Sequence, residues 1–300
     1  MVTTASGDSC LAALIDEPDG GVLRLPAGRV IPDDEGPVLW LSDDEPDGQT
    51  VARLRANHVS SGLWPVLIGD DPSWDTTLRL VDGELLREIG VPPSKHPWVR
   101  PFYPLLRGSL GNPRWRWFEP PEAETWLADR WAEEVARNEA NDHWDPEERV
   151  SALAPSGAAW PGLAPAAEAL GEPLAIADWH AAMMLEENWL GRPRLALFEG
   201  ASSSEALAAA RWAPAGEGNF LAHIQVLQSW EQRFGARVVA LKPDTLYLSV
   251  SAPPVTPEHA VHVACEHLAF CHDAVWQCSD SFEDHAEGLI GSPCWGFWWD

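Results

Sequence analysis

FLAHIQVLQSWEQRFGARVVALKPDTLYLSV, residues 220–250, is the stretch on which the fold reading turns. Phe220, Ile224, Leu227, Trp230 and Phe234 recur at spacings of four, three, three and four, one apolar stripe of an amphipathic helix. Gly235 follows, where a left-handed C-terminal cap sits. Arg237 to Leu241 is short and β-branched. Thr245 to Val250 alternates, with Leu246, Leu248 and Val250 on one face. Lys242-Pro243-Asp244 between them has turn chemistry, so the two runs predict a hairpin.

Working outward, Thr256, Pro257 and Glu258 are the cap, first position and acidic first turn of a second helix that runs to about Cys271. A shorter helix covers Phe282 to Leu289, closed by Gly291 and Pro293. The chain ends on Trp295-Gly296-Phe297-Trp298-Trp299-Asp300, an aromatic strand. Trp295, Phe297 and Trp299 should face the core, with Gly296 and Trp298 opposite. An aromatic terminus frays unless docked, so this one is expected in the sheet.

Three motifs in this region, Trp230-Glu231-Gln232-Arg233-Phe234-Gly235-Ala236, Glu266-His267-Leu268-Ala269-Phe270-Cys271 and Phe297-Trp298-Trp299-Asp300, resemble in order and spacing a bacterial family called domain of unknown function 4253. Upstream, Ser61-Gly62-Leu63-Trp64-Pro65 and Trp160-Pro161-Gly162-Leu163 resemble segments of longer actinobacterial members. The resemblance implies a fold unit over the last third of the chain. It transfers no activity and no catalytic residues.

The whole chain has 300 residues, 45% of them hydrophobic, and 18 tryptophans that must largely be buried or at interfaces. Net charge is −26 and divides as −9, −9 and −8 over successive hundreds of residues. The acidity therefore belongs to the whole surface. Such a surface repels nucleic-acid phosphate and anionic lipid and favours basic partners. Only Lys95 and Lys242 are lysine, which with abundant Ala, Pro and Gly suggests a high-GC genome. Five cysteines in a chain this large read as reduced cytoplasmic thiols. No apolar run reaches a membrane span, and no leader is apparent.

Along the N-terminal half, Leu11–Ile15 reads as a short helix and Val22–Leu25 as a strand. Asp33–Gly36 reads as a loop and Pro37–Leu41 as a second strand. A helix from Gln49 to Val59 and a third strand at Leu63–Ile68 complete a βαβ unit with parallel strands. Prolines interrupt residues 69–118. There Leu85–Ile89 reads as one helical turn and Arg114-Trp115-Arg116-Trp117 as an edge strand. Interleaved Arg and Trp can stack on bases, but the acidic remainder opposes nucleic acid. Pro120 opens the longest helix, to about Asn138, with Trp126, Leu127, Trp131 and Val135 as its stripe and a Glu133–Arg137 ion pair. Trp179–Leu190 reads as a helix, Arg194–Phe198 as a strand and Ala206–Arg211 as a capped helix. These elements make a mixed α/β (α+β) protein, with an N-terminal α/β region (1–150), an Ala/Pro-rich linker and helix (151–192) and a C-terminal α-β-β-α-β domain (193–300) with a small mixed or antiparallel sheet.

For chemistry, Glu266, His267 and Cys271 are the candidate catalytic residues of a hydrolytic or thiol-dependent enzyme. His267 and Cys271 share a helix face. Cys265 points away and Glu266 lies on the outer side, nearer His262. A zinc site on His267 and Cys271 would need further ligands from Cys278, His285 or Cys294. Trp230, Glu231, Arg233, Trp298 and Asp300 are candidate binding residues. Arg233 is expected to lock Asp300, and Trp298 to wall a groove beside Glu266 and His267. No complete catalytic constellation is present, so the reading favoured is a cofactor-free binding protein for a protein or small-molecule partner, with the enzyme and the zinc domain as alternatives.

Overall fold

A computed structural model describes residues 10–11, 23–33, 36–69, 122–143, 145, 147, 149, 152–209, 212 and 220–300. Its strands are β1 (Gly28–Asp33), β2 (Gly36–Ser42), β3 (Leu63–Ile68), β4 (Arg194–Glu199), β5 (Arg237–Lys242), β6 (Thr245–Ser249) and β7 (Cys294–Trp298). Its helices are α1 (Gly48–Ala56), α2 (His58–Ser61), α3 (Ala123–Glu139), α4 (Pro173–Glu186), α5 (Ser203–Ala209), α6 (Phe220–Phe234), α7 (Pro257–Phe270), α8 (His272–Trp276) and α9 (Phe282–Leu289). The strands form one mixed sheet in the order β1-β2-β4-β3-β5-β6-β7. The α+β class read from the pattern is the class found, but the C-terminal strands belong to this seven-stranded sheet and not to a small one. No helix among the described residues is long and apolar enough to cross a membrane.

The chain divides into two compact units, each assembled from three separate segments. The first takes Met1–Glu119, Ala181–Trp212 and Val239–Pro243. Within it, β2 and β3 are each antiparallel to β4, so they run the same way, as a βαβ reading requires. They are not neighbours, because β4 lies between them. Pro65 withholds a donor inside β3, and the parallel pairing to β5 is confined to Leu67 and Ile68. Leu39, Leu41, Trp64, Val66, Leu67, Leu197 and Phe198 are buried along these strands.

Of the strand expected at Val22–Leu25, the described residues 23–25 are not in a strand. Leu23 to Pro26 lie outside any strand, and the strand begins at Gly28, where antiparallel pairing with β2 sets the register. Pairing extends to Asp33 and Gly36, shortening the expected loop, with a register shift at Ile31/Pro32 where proline is tolerated. The helix expected at Trp179–Leu190 is instead α4. Pro173 suits its first position, and Asn188 (φ 55°) and Gly191 (φ 71°) are left-handed just beyond it. The readings at Leu85–Ile89 and Arg114–Trp117 lie outside the described residues.

The second unit takes Pro120–His180, Ala213–Val238 and Asp244–Asp300. Here α3, α6, α7 and α9 pack together, and β6 pairs antiparallel with β7 from Thr245↔Trp298 to Ser249↔Cys294. The terminal strand is therefore docked. Trp295, Phe297 and Trp299 are buried, Gly296 is exposed and Trp298 intermediate, the alternation that the pleat predicts. Trp230 is fully buried and stacks on Phe297, with ring centroids 5.3 Å apart. Gly235 is left-handed at the end of α6, and a Cβ there would meet Ser251 Oγ at 2.1 Å, so glycine is required on both counts.

Candidate functional site

Helix α7 carries the candidate catalytic residues. Its start is the one read from the sequence, with the Thr256 side chain accepting from the His259 amide and Pro257 in the first turn. From Val263 to Phe270 every side chain is buried. The helix has no outer side along this stretch, so Glu266, expected to face outward, is inside.

Glu266 is fully buried and both of its oxygens are occupied. Arg233 grips it in a two-pronged pair, Nη1 to Oε1 at 2.7 Å and Nη2 to Oε2 at 2.6 Å. The Trp230 indole donates to Oε2 at 2.7 Å, and the Ala164 amide donates to Oε1 at 2.7 Å. Arg233 also donates to the Ala164 carbonyl (2.8 Å) and to Ser229 Oγ (3.0 Å). Arg233 therefore does not lock the chain end. Asp300 is exposed, and its amide donates to Asp273 Oδ2 at 3.1 Å. A buried carboxylate has the greater need of a forked donor, because leaving it unpaired in the core is the costlier arrangement. Glu231 is half-buried at the position after Trp230.

His267 turns to a different set of neighbours. Trp295, Phe297 and Trp230 surround it at centroid distances of 4.5, 4.8 and 5.3 Å. Its Nδ1 lies 3.2 Å from His285 Nε2, and His285 Nδ1 lies 3.3 Å from Ser279 Oγ. Burial, with His285 alongside, holds His267 well below the usual histidine range, and burial lowers His285 to about 4. Both rings are neutral at neutral pH.

Cys271 donates its thiol to the Trp298 carbonyl at 3.0 Å. The Trp298 indole belongs to the other face of β7 and donates to Asp244 Oδ2 at 3.1 Å, so it does not wall a groove beside Glu266 and His267. Burial pushes the Cys265 thiol up to about 12, against Ser156 Oγ at 3.0 Å. No group of three or more His, Cys, Asp or Glu stands where it could hold a metal ion among the described residues.

Several participants were not singled out from the sequence. Ala164 has no side-chain signal at all, and Ser279 lies in the approach to a separate helix, α9, whose His285 was named only as a possible zinc ligand. The third set is Glu134, His272 and Arg137. The ion pair expected between Glu133 and Arg137 is not formed: Glu133 pairs with Arg130 at 2.9 Å, and Arg137 with the nearly buried Glu134. Glu134 also meets His272 Nδ1 at 2.6 Å, which joins α3 to α8. One turn of helix offers Arg137 either glutamate, and it takes the one whose desolvation most needs a partner.

Residues 194–300 match the family described as Domain of unknown function (DUF4253). The matched segment contains Trp230, Arg233, Glu266, His267, Cys271 and Trp298, but not Ala164, Ser156 or Glu134. No curated protein matches the chain, and no solved structure matches it.

Proposed function

We propose that the protein is a cofactor-free binding protein of the cytoplasm, of actinobacterial type, that engages a basic partner through its acidic surface. One observation carries the reading: the groups a reaction would need are turned inward and engaged. Glu266 is saturated with hydrogen bonds, His267 is 1% exposed within a cage of rings, and Cys271, also 1% exposed, gives its thiol proton to a carbonyl. The whole chain carries a net charge of −26, which steers cationic partners at low salt. The five cysteines form no disulfide with one another, in keeping with a reducing compartment. The test is capture by the immobilised protein from an extract of its own cells, followed by a salt gradient. The expected result is one stoichiometric basic protein released as salt rises. Recovery of no partner, with turnover of a simple substrate, would overturn the reading.

Hydrolysis is the second reading, and the Ser279–His285–His267 series favours it. A neutral His285 could take the Ser279 proton, although a base this far below neutrality is weak. Turnover of an activated aryl ester that disappears in Ser279→Ala would install this reading in place of binding.

A further inference from the structure

Residues 160–171 form no regular secondary structure, yet they lie along α6 and α7 with six of their backbone polar groups hydrogen-bonded to the rest of the unit. The Gly162 carbonyl accepts from His262 Nε2 at 3.0 Å, and the Pro165 carbonyl from His259 Nε2 at 2.9 Å. Between them, the Ala164 amide donates to Glu266 and its carbonyl accepts from Arg233. The Ala167 amide donates to the Arg233 carbonyl at 3.3 Å, and the Leu170 amide to the Ser251 carbonyl at 2.7 Å. Along this path only Ala164 is buried, while Pro161, Pro165 and Leu170 are exposed. The helices thus read the backbone of an extended, proline-containing segment and almost none of its side chains. That is how a peptide site works when main-chain hydrogen bonds supply the affinity. The reading groups Arg233, His259, His262 and Glu266 all lie within the family-matched residues 194–300, and the segment they hold lies outside.

We infer that the α6–α7 face is a peptide-binding groove, occupied in this chain by its own residues 160–171, and that an extended peptide of the same chemistry, small residues flanked by proline, can replace them. The inference rests on the binding reading above and adds to it a second contact, the backbone of an extended segment of the partner, beside the charge attraction. Release of the segment is feasible because Glu266 keeps its two bonds to Arg233 and one to Trp230, and water can take the place of the Ala164 amide. With the groove filled in cis, the apparent affinity for a peptide is lowered by the fraction of chains in which it is open.

The experiment uses the full chain and a fluorescent peptide spanning residues 160–171. Gly162→Val combined with Ala164→Pro loosens the resident segment. Gly162 is left-handed (φ 88°), a conformation valine disfavours, and proline removes the amide that reaches Glu266. Anisotropy should show the peptide binding this variant at least about tenfold more tightly than the wild type. Adding His259→Ala and His262→Ala should abolish the gain. A variant that keeps the wild-type near-ultraviolet spectrum and melting cooperativity but binds no better overturns the inference. So does a variant that fails to fold, because the segment is then part of the core. A wild-type dimer in sedimentation whose chains exchange the segment reassigns the occupant to a second copy and overturns occupation in cis. If peptide binding fails while salt-sensitive capture of a basic partner persists, only the groove assignment falls.

Discussion

Glu266 shows how much one residue can organise. A carboxylate in the core is tolerated only when each oxygen is met by donors, and here four hydrogen bonds from three residues, Trp230 and Arg233 of α6 and Ala164 of the irregular segment, converge on it. Removing one partner leaves the other charge buried. Arg233→Ala or Glu266→Ala should therefore destabilise the protein by about 3–5 kcal/mol, whereas Trp230→Phe, which removes one hydrogen bond and keeps the ring, should cost about 1–3 kcal/mol. Urea unfolding distinguishes the two, and equal losses would mean that packing and not charge dominates. His285 gives a pH prediction. Its folded value, about 4, is below the ordinary 6.5, so the unfolded chain binds the proton first. The stabilisation is full above about pH 6.5 and is lost as pH falls towards 4, by roughly 3 kcal/mol. His267, lowered in the same direction, adds to the loss. In His285→Phe the acid limb of the stability curve should flatten between those two pH values, and an unchanged limb would refute the assignment.

Among the elements, β7 tests the alternation directly. Phe297→Ala removes a buried ring from contact with Trp230, His267 and Phe270 and should cost about 3–5 kcal/mol. Gly296→Ser faces the other way, where a Cβ would meet Tyr247 at an ordinary 3.7 Å, and should shift stability by no more than about 0.5 kcal/mol. Comparable losses in thermal melts would mean the strand is not seated as described. The strand, the α6 stripe and the Pro257 helix start were legible in the sequence because each is signalled within a few residues, by alternation, spacing or a cap. The insertion of β4 between β2 and β3 was not, since no local pattern names a distant neighbour. The candidate site was half legible. Glu266, Arg233 and Trp230 each carry a signal in the sequence, but in separate sets: Glu266 with His267 and Cys271 as catalytic candidates, Trp230 and Arg233 among the binding candidates, with the guanidinium given to Asp300 and not to Glu266. A helix buried on all sides cannot be recognised from stripes, and a partner that acts through its backbone, as Ala164 does, leaves no mark in residue type. Ala/Pro/Gly composition signalled a linker, but neither the start of α4 at Pro173 nor the contacts that residues 162–170 make.

At the scale of the whole molecule, charge is spread evenly along the chain, and the folded state must hold 46 acidic groups against 20 basic ones. Self-repulsion of this kind is screened by salt, so Tm should be several degrees higher in about 0.5 M than in about 0.01 M sodium chloride. A flat or falling Tm would mean that local ion pairs outweigh the global field. The strand order has its own consequence for how the protein comes into being on the ribosome. β1 and β2 can close as a hairpin as soon as they emerge, but Ile68 has no partner until Arg194 and then Leu241 are translated. For that interval the apolar run Leu63–Ile68 is a nascent strand with both edges bare. A growing chain in that state is a natural client for a holding chaperone, and slowed translation past residue 68 should lower the soluble yield more than slowing after residue 241.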